Sequence, residues 1–205
     1  MSRLAVFASG SGSNFQSLVN AVEEKRLDAE ISLLVCDKPE ARAVGRAHYH
    51  HIPCFAFSAK AYESKEAFEK EILKKLEEYE IDYIILAGYM RLIGPTLLEA
   101  YGGKIINIHP SLLPSFPGKD AVGQALEAGV KVTGVTIHYV DAGMDTGPII
   151  AQEAVVVSEG DTRESLQKKI QQVEHKLYVN TVNQIVQSVK EATVNYNIQP
   201  GVKDK

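Results

Sequence analysis

Seven apolar segments recur along the chain between stretches of mixed polarity, and each has the length and composition of a strand. They lie at residues 4–8, 31–36, 53–57, 81–88, 104–108, 132–140 and 149–157. Segment 81–88 is the most apolar, which is typical of a strand buried on both faces at the centre of a parallel sheet. Segment 132–140 alternates instead, with Gly134, Thr136 and His138 on one face, and is the best candidate for an antiparallel strand.

Apolar residues at helical spacing mark the segments between the strands. Residues 64–79 carry Phe68, Ile72 and Leu76 on one face, and a longer stripe begins after Asp161. Shorter helices are predicted after residue 14, from residue 40 and over residues 121–128. The alternation of strands and helices predicts an α/β, Rossmann-like fold, with a mainly parallel twisted sheet and helices on both faces.

The strands that begin near residues 4, 81 and 104 are expected to be central in this sheet. A chain of 205 residues is expected to form a single domain, here over residues 1–192. The remainder, residues 193–205, is polar and non-periodic and is expected to be a loose tail.

Composition excludes several classes of protein. The formal net charge of −4 gives no bulk attraction to nucleic acid. No apolar run approaches the ~20 residues that span a bilayer. The apolar stretch at the start of the chain is too short for a signal peptide, so cytoplasmic residence is expected.

A glycine-rich turn follows the first strand. The stretch SGSGSN at residues 9–14 leads into a helix, and converging N–H groups and the helix dipole favour a phosphate there. The turn lacks the Lys-Ser/Thr pair of a Walker loop, and Phe15 stands where a dinucleotide fingerprint needs a small residue. A phosphate nest and a purely structural turn are both left open. Lys65, in the first turn of another predicted helix, could also reach a phosphate.

An amide and an imidazole end the strand at residues 104–108. Asn107 and His109 are two residues apart, so they share one face at the carboxyl end, where open α/β sheets bind ligands. The pair could polarise a carbonyl and move a proton, or it could simply cap the strand. Asp145 is either a turn former or a carboxylate that orients His109 and favours its charged form.

Three further groups of polar residues each allow two interpretations. Asp37 could cap a helix or hold a ribose. His48, His50 and His51 could bind a metal, but no other ligand cluster accompanies them, so solvated side chains at a helix end are favoured. Glu174, at the margin of the last apolar stripe, is either a partly exposed flank or an inward-facing carboxylate.

Five motifs together carry a resemblance to a known family. They are GSGSN at residues 10–14, AGYMR at 87–91, NIHPSLLP at 107–114, DAGMD at 141–145 and EH at 174–175. In order and spacing, over about residues 3–190, they resemble the phosphoribosylglycinamide formyltransferases, the folate-dependent enzymes of purine biosynthesis.

The resemblance implies a role for each motif. The implied catalytic residues are Asn107, His109 and Asp145. The implied ligands of the substrate phosphate are Gly12, Ser13, Asn14 and Lys65, and Glu174 would contact the rest of the ribonucleotide. The implied folate pocket consists of Met90, Arg91, Leu92, Val140, Asp141, Ala142, Gly143 and Met144.

The implied reaction moves a formyl group from 10-formyltetrahydrofolate, a co-substrate, to the amine of 5-phosphoribosylglycinamide, with no metal. The implied partners are these small molecules, with neither nucleic acid nor membrane, and the chain would be a monomer or a homodimer. Some relatives carry histidines where this chain has KDAV at residues 119–122, so the role of that loop is open. The alternatives are another formyltransferase of the superfamily, a formyltetrahydrofolate hydrolase and a non-enzymatic nucleotide-binding module.

Overall fold

The computed structural model describes residues 1–198. Within them one sheet contains β1 (Ser2–Ala8), β2 (Ala29–Cys36), β3 (Cys54–Ala56), β4 (Tyr83–Leu86), β5 (Ile105–His109), β6 (Val132–Tyr139) and β7 (Ile149–Val156). The helices are α1 (Ser13–Glu23), α2 (Arg42–Tyr49), α3 (Lys65–Glu78), α4 (Pro95–Ala100), α5 (Ala121–Glu127) and α6 (Arg163–Ile198), and a short 3-10 helix spans Ala59–Ala61.

The strand order across the sheet is β3-β2-β1-β4-β5-β6-β7. The pairings from β3 through β5 are parallel, whereas β6 runs antiparallel to both β5 and β7. The predicted mainly parallel sheet is therefore confirmed, with β1, β4 and β5 in the middle. The prediction that β6 is the antiparallel strand is confirmed as well.

Both faces of the sheet are buried beneath helices. On β1, Leu4 and Val6 pack in one core with residues of α1, α2, α5 and α6, while Ala5 and Phe7 pack in a second core with residues of α3 and α4. Because β1 is covered on both sides, its buried residues form a continuous apolar run rather than an alternating pattern. The expected Rossmann-like arrangement is therefore the observed one.

The strand order also creates a crevice at one edge of the sheet. β1 lies between β2 and β4, so the chain leaves β1 towards one side of the sheet and later crosses to the other. Ligands of open α/β sheets bind outside the carboxyl ends of the strands at such a switch point. The glycine turn after β1, the segment after β4 and the end of β5 all lie along this edge.

One buried tyrosine ties the last helix to the centre of the sheet. The hydroxyl of Tyr178, on α6, lies 2.8 Å from the carbonyl oxygen of Leu86 and 3.1 Å from that of Ile106. Leu86 ends β4, and Ile106 lies in β5. The tyrosine side chain is buried, so α6 is anchored to the two strands that lead into the crevice.

One local prediction is wrong, and one short helix was not predicted. α2 begins at Arg42 behind Ala41 with no side-chain cap, so the predicted capping role of Asp37 is wrong. The short helix α4 was not predicted. Its preceding Gly94 N–H donates to the Glu69 carboxylate at 2.6 Å, a contact with α3 that local periodicity does not reveal.

The C-terminal segment is helical further than expected. α6 continues to Ile198, so residues 193–198 are helical where the sequence predicted a loose tail. Residues 199–205, the rest of that predicted tail, lie outside the described residues. Among the helices of residues 1–198, none is both long and apolar enough to cross a membrane.

Candidate active site

A cleft of about 640 Å³ opens at the carboxyl ends of the central strands. Its walls are the glycine turn, residues 86–93, residues 107–110 and 118–122, the loop after β6, and side chains of α6. Cavities of about 300–1,000 Å³ are typical of small-molecule sites. The cleft therefore has the size of a substrate site.

His109 lies between two oxygen acceptors in this cleft. Its Nε2 is 2.9 Å from the Phe116 carbonyl oxygen, which can only accept, so Nε2 carries a proton and donates. Its Nδ1 is 3.4 Å from Oδ2 of Asp145. An imidazolium, with a proton on each nitrogen, satisfies both acceptors at once.

Asp145 is held as a carboxylate by its surroundings. Its Oδ2 accepts the N–H of Gly118 at 2.7 Å, and its Oδ1 is 3.6 Å from Nε2 of His138. Burial raises the pKa of Asp145, but the His138 and His109 rings and the Gly118 N–H outweigh it, so the net pKa lies below its usual value. The sequence left open whether Asp145 was a turn former, and the structure brings it to His109.

His138 is a site residue that the sequence reasoning missed. It lies on β6 opposite Asn107 of β5, and its Nε2 is 3.0 Å from Nδ2 of Asn107. Its Nδ1 is 2.9 Å from the Tyr139 carbonyl oxygen and donates to it, and its Nε2 lies between the Asn107 amide and Oδ1 of Asp145. The contact with Nε2 holds the Asn107 amide in the cleft.

The glycine turn lines the other end of the cleft. Gly12 precedes α1 with φ +70°, and no side chain caps the helix. A Cβ on Gly12 would lie 2.9 Å from Cβ of Ala43, so a side chain is excluded by both the dihedral and the packing. The uncapped N–H groups of Ser13 and Asn14 and the helix dipole make this end suitable for an anion.

Glu174 lies in the cleft near this turn. It is only 6% exposed, and its Oε2 is 3.5 Å from Nδ2 of Asn14. Burial raises the pKa of Glu174 to about 7, with a smaller opposing effect from Asn14. Of the two interpretations that the sequence allowed, the inward-facing carboxylate is the observed one.

The segment at residues 89–93 alternates between anchored and exposed side chains. Met90 and Leu92 are 62% and 53% exposed, and both line the cleft. Nε of Arg91 instead donates to Oδ2 of Asp37 at 2.7 Å, and its guanidinium lies 5.7 Å from the centre of the Phe68 ring. Asp37 therefore anchors this segment and is not among the residues that line the cleft.

The loop after β6 contributes most of the residues expected there. Val140, Asp141, Gly143 and Met144 line the cleft, whereas Ala142 does not. Asp141 accepts the Gly143 N–H at 3.0 Å within its own loop.

Lys65 is not brought to the cleft. Its Nζ is 4.0 Å from Oε1 of Glu69, on α3, and it is not among the lining residues. Within the described part of the chain, no three His, Cys, Asp or Glu residues are placed to hold a metal ion.

The segment at residues 119–122 also borders the cleft. Lys119 and Asp120 are lining residues, and Asp120 caps α5 and pairs with Arg163 at 2.5 Å. Arg163 and Gln167 of α6 line the cleft too and were missed from the sequence. With Glu174 they follow i, i+4 and i+11 on one helix, a spacing that the sequence could have revealed.

Comparison with known proteins gives concordant matches. The sequence model of the family described as formyl transferase matches residues 2–182. The chain is 59% identical over 186 residues to a phosphoribosylglycinamide formyltransferase of Bacillus subtilis, covering 91% of this chain and 95% of that protein. It is 42% identical to the human trifunctional purine biosynthetic protein adenosine-3 over 86% of this chain but only 17% of that protein.

A solved structure agrees with these matches. The crystal structure of glycinamide ribonucleotide transformylase 1 from Geobacillus kaustophilus superimposes with a TM-score of 0.89 at 60% identity, covering 90% of this chain and 98% of that one. The chain belongs to the formyl transferase family.

Proposed function

We propose that this chain transfers the formyl group of 10-formyltetrahydrofolate to the amine of 5-phosphoribosylglycinamide, giving N-formylglycinamide ribonucleotide and tetrahydrofolate in purine biosynthesis. Family membership supports this, as do the names of the Bacillus subtilis and human relatives. The observation that carries the proposal is a single cleft that joins an anion-binding helix terminus to Asn107, His109 and Asp145.

In the first step the amine attacks the formyl carbon and forms a tetrahedral intermediate with an oxyanion. Asn107 donates to the oxyanion through its side-chain amide N–H. His109 exchanges the Phe116 carbonyl for the oxyanion as the acceptor of its Nε2–H. Each donor of this kind contributes on the order of 3 kcal/mol to lowering the barrier.

In the second step the intermediate collapses and the carbon–nitrogen bond to the folate breaks. The attacking amine loses one proton and the departing folate nitrogen gains one, so the transfer is balanced without a covalent enzyme intermediate. The His109–Asp145 pair moves this proton. The low pKa of Asp145 supports the role, because the carboxylate stays charged and can balance the positive charge that His109 gains while it carries the proton.

The ribonucleotide occupies the end of the cleft near α1. Its phosphate accepts the N–H groups of Gly12, Ser13 and Asn14, and Glu174 contacts the substrate between the phosphate and the amine. The uncapped start of α1 and the buried Glu174 carboxyl support this direction. The flat folate ring lies against Met90, Leu92 and the loop after β6, where the exposed apolar side chains support it.

The proposal extends to the state of the protein. We expect one domain over residues 1–192 that works in the cytoplasm as a monomer or a homodimer, on small molecules alone, with no nucleic acid, membrane or metal.

The test is formyl transfer by the purified full chain, with 10-formyltetrahydrofolate and with or without glycinamide ribonucleotide. The expected result is formation of tetrahydrofolate and formylated ribonucleotide in equal amounts, and neither product without the ribonucleotide. Release of formate at the same rate in both samples would instead identify a hydrolase. Absence of any reaction would contradict the proposal and would favour the non-enzymatic nucleotide-binding module.

A further inference from the structure

The glycine turn at the phosphate end is oriented by two donors from α2. The carbonyl oxygen of Gly10 accepts the N–H of Ala43 at 3.1 Å. The next carbonyl oxygen, that of Ser11, accepts Nε of Arg46 at 2.9 Å. Two consecutive peptide groups of the turn are therefore held by one neighbouring helix.

Holding these carbonyls also sets the direction of the N–H groups. In a planar trans peptide the N–H of one residue points opposite to the C=O of the residue before it. With the carbonyls of Gly10 and Ser11 turned to α2, the N–H groups of Ser11 and Gly12 point away from α2. Within the described residues neither N–H donates to another protein atom, and both residues line the cleft.

Arg46 is itself fixed on its other side. Its Nη1 donates to Oε1 of Gln16 at 2.9 Å. Nε2 of Gln16 contacts His50 at 2.8 Å, and His50 in turn contacts Glu23 at 2.9 Å. A guanidinium with a fixed fork of donors is suited to holding one carbonyl in one direction.

We propose that Arg46 is the positioning residue of the phosphate site: it holds the Ser11 carbonyl so that the N–H groups of the turn converge on a phosphomonoester. Arg46 is not itself among the residues that line the cleft, and it acts through the Ser11–Gly12 peptide. The inference rests on the proposed function and deepens it. It names the support that makes this glycine turn an anion site.

The main test is Arg46→Met, which removes the donor and keeps an unbranched stem. KM for glycinamide ribonucleotide should rise about tenfold, or ~1.4 kcal/mol, with kcat within about twofold and KM for the folate unchanged. With the dephosphorylated nucleoside of the same substrate, kcat/KM of Arg46→Met should equal that of the wild type. Inorganic phosphate competes with the ribonucleotide, and its inhibition constant should rise by the same factor.

Arg42→Met is the matched control, since Arg42 is an exposed arginine on the same helix. It should leave all these constants unchanged. Arg46→Gln is the second variant, because its amide can donate to the Ser11 carbonyl without a charge. A KM for the ribonucleotide near that of the wild type supports positioning by the hydrogen bond.

Several outcomes overturn the inference. They are an unchanged KM for the ribonucleotide in Arg46→Met, an equal loss with the dephosphorylated nucleoside, the same loss in Arg42→Met, or a loss in Arg46→Gln as large as in Arg46→Met. A wild-type chain that does not formylate the ribonucleotide contradicts the proposed function instead. Binding of inorganic phosphate to wild type and Arg46→Met still tests Arg46 in that case.

Discussion

The two ends of the cleft are built from different parts of the chain. At the reacting end, Asn107, His109, His138 and Asp145 contact one another through side chains. At the proposed phosphate end the groups that face the cleft are mainly backbone N–H groups of the glycine turn. One end therefore depends on the identity of side chains and the other on the path of the backbone.

The carboxyl groups at the two ends differ in the same way. Asp145 has a pKa below its usual value because charged and donating neighbours outweigh its burial. Glu174 has a pKa of about 7 because burial raises it and only Asn14 opposes the effect. Neighbours decide the charge at the reacting end, and desolvation decides it at the phosphate end. Substitutions at the reacting end should therefore lower mainly kcat, and substitutions in the glycine turn should raise mainly KM for the ribonucleotide.

The largest effect should come from the reacting end. Asp145→Asn should lower kcat about a thousandfold, with KM for both substrates within about threefold, because the charge that acts in the transition state is lost. Steady-state kinetics with each substrate varied in turn measure kcat and both KM values.

Asn107→Ala provides the control for this result. Asn107→Ala should also lower mainly kcat. In the double variant with Asp145→Asn, the loss of transition-state stabilisation should be smaller than the sum of the two single losses, because both residues serve one intermediate. Full activity in a well-folded Asp145→Asn protein would contradict the dependence of the reacting end on its side chains, since Asp145 would then be only a turn residue.

Glu174→Gln should change stability and its pH dependence. Because the folded pKa of about 7 lies above the ordinary value of 4.5, the contribution of Glu174 to stability is fully present below pH 4.5 and is lost as pH rises through 7. Relative to wild type, the variant should gain about 3 kcal/mol between pH 4.5 and pH 8. Urea unfolding at both pH values measures this gain, and identical pH dependence in both proteins would contradict the buried neutral carboxyl.

Gly12→Val tests the backbone end directly. The residue has φ +70°, and the new side chain would press against Ala43, so the turn must move. KM for the ribonucleotide should rise about thirtyfold, or ~2 kcal/mol, while KM for the folate stays the same. Gly45→Ala, on α2 with open space around it, is the control. Equal damage to both substrates would indicate a turn that is merely structural.

Asp37→Asn should give the smallest effect. The substitution removes the charge that holds Arg91 at 2.7 Å, so the segment at residues 89–93 should loosen. KM for the folate should rise about threefold, with KM for the ribonucleotide unchanged. Glu80→Gln, which removes the exposed partner of Arg3, is the matched control and should change neither constant. A rise in KM for the ribonucleotide alone would show that Asp37 acts on the phosphate end of the cleft instead.

Features that depend on local periodicity were predictable from the sequence. The apolar run of β4, the alternation of β6 and the spacing of Asn107 and His109 each depend on neighbours along the chain. These features were sufficient to predict the sheet, its antiparallel strand and one face of the site.

Contacts between distant segments were not predictable in this way. His138 reaches Asn107 only through the register of β5 with β6, and Arg46 reaches Ser11 only because α2 packs against the glycine turn. Asp37 has the sequence of a helix cap, but a segment 54 residues away binds it. The register of paired strands and the contacts between distant segments depend on tertiary packing, which cannot be predicted from the local pattern of a single sequence.

The contact of Tyr178 with β4 and β5 has a consequence for hydrogen exchange. Because one hydroxyl contacts two strand carbonyls, we expect α6 and the centre of the sheet to open as a single cooperative unit. Adjustment to a substrate is then left to the loops at residues 110–120 and 140–147. Deuterium uptake in these loops should slow when either substrate binds, whereas the amides of β4 and β5 should exchange only through global unfolding, with or without ligand.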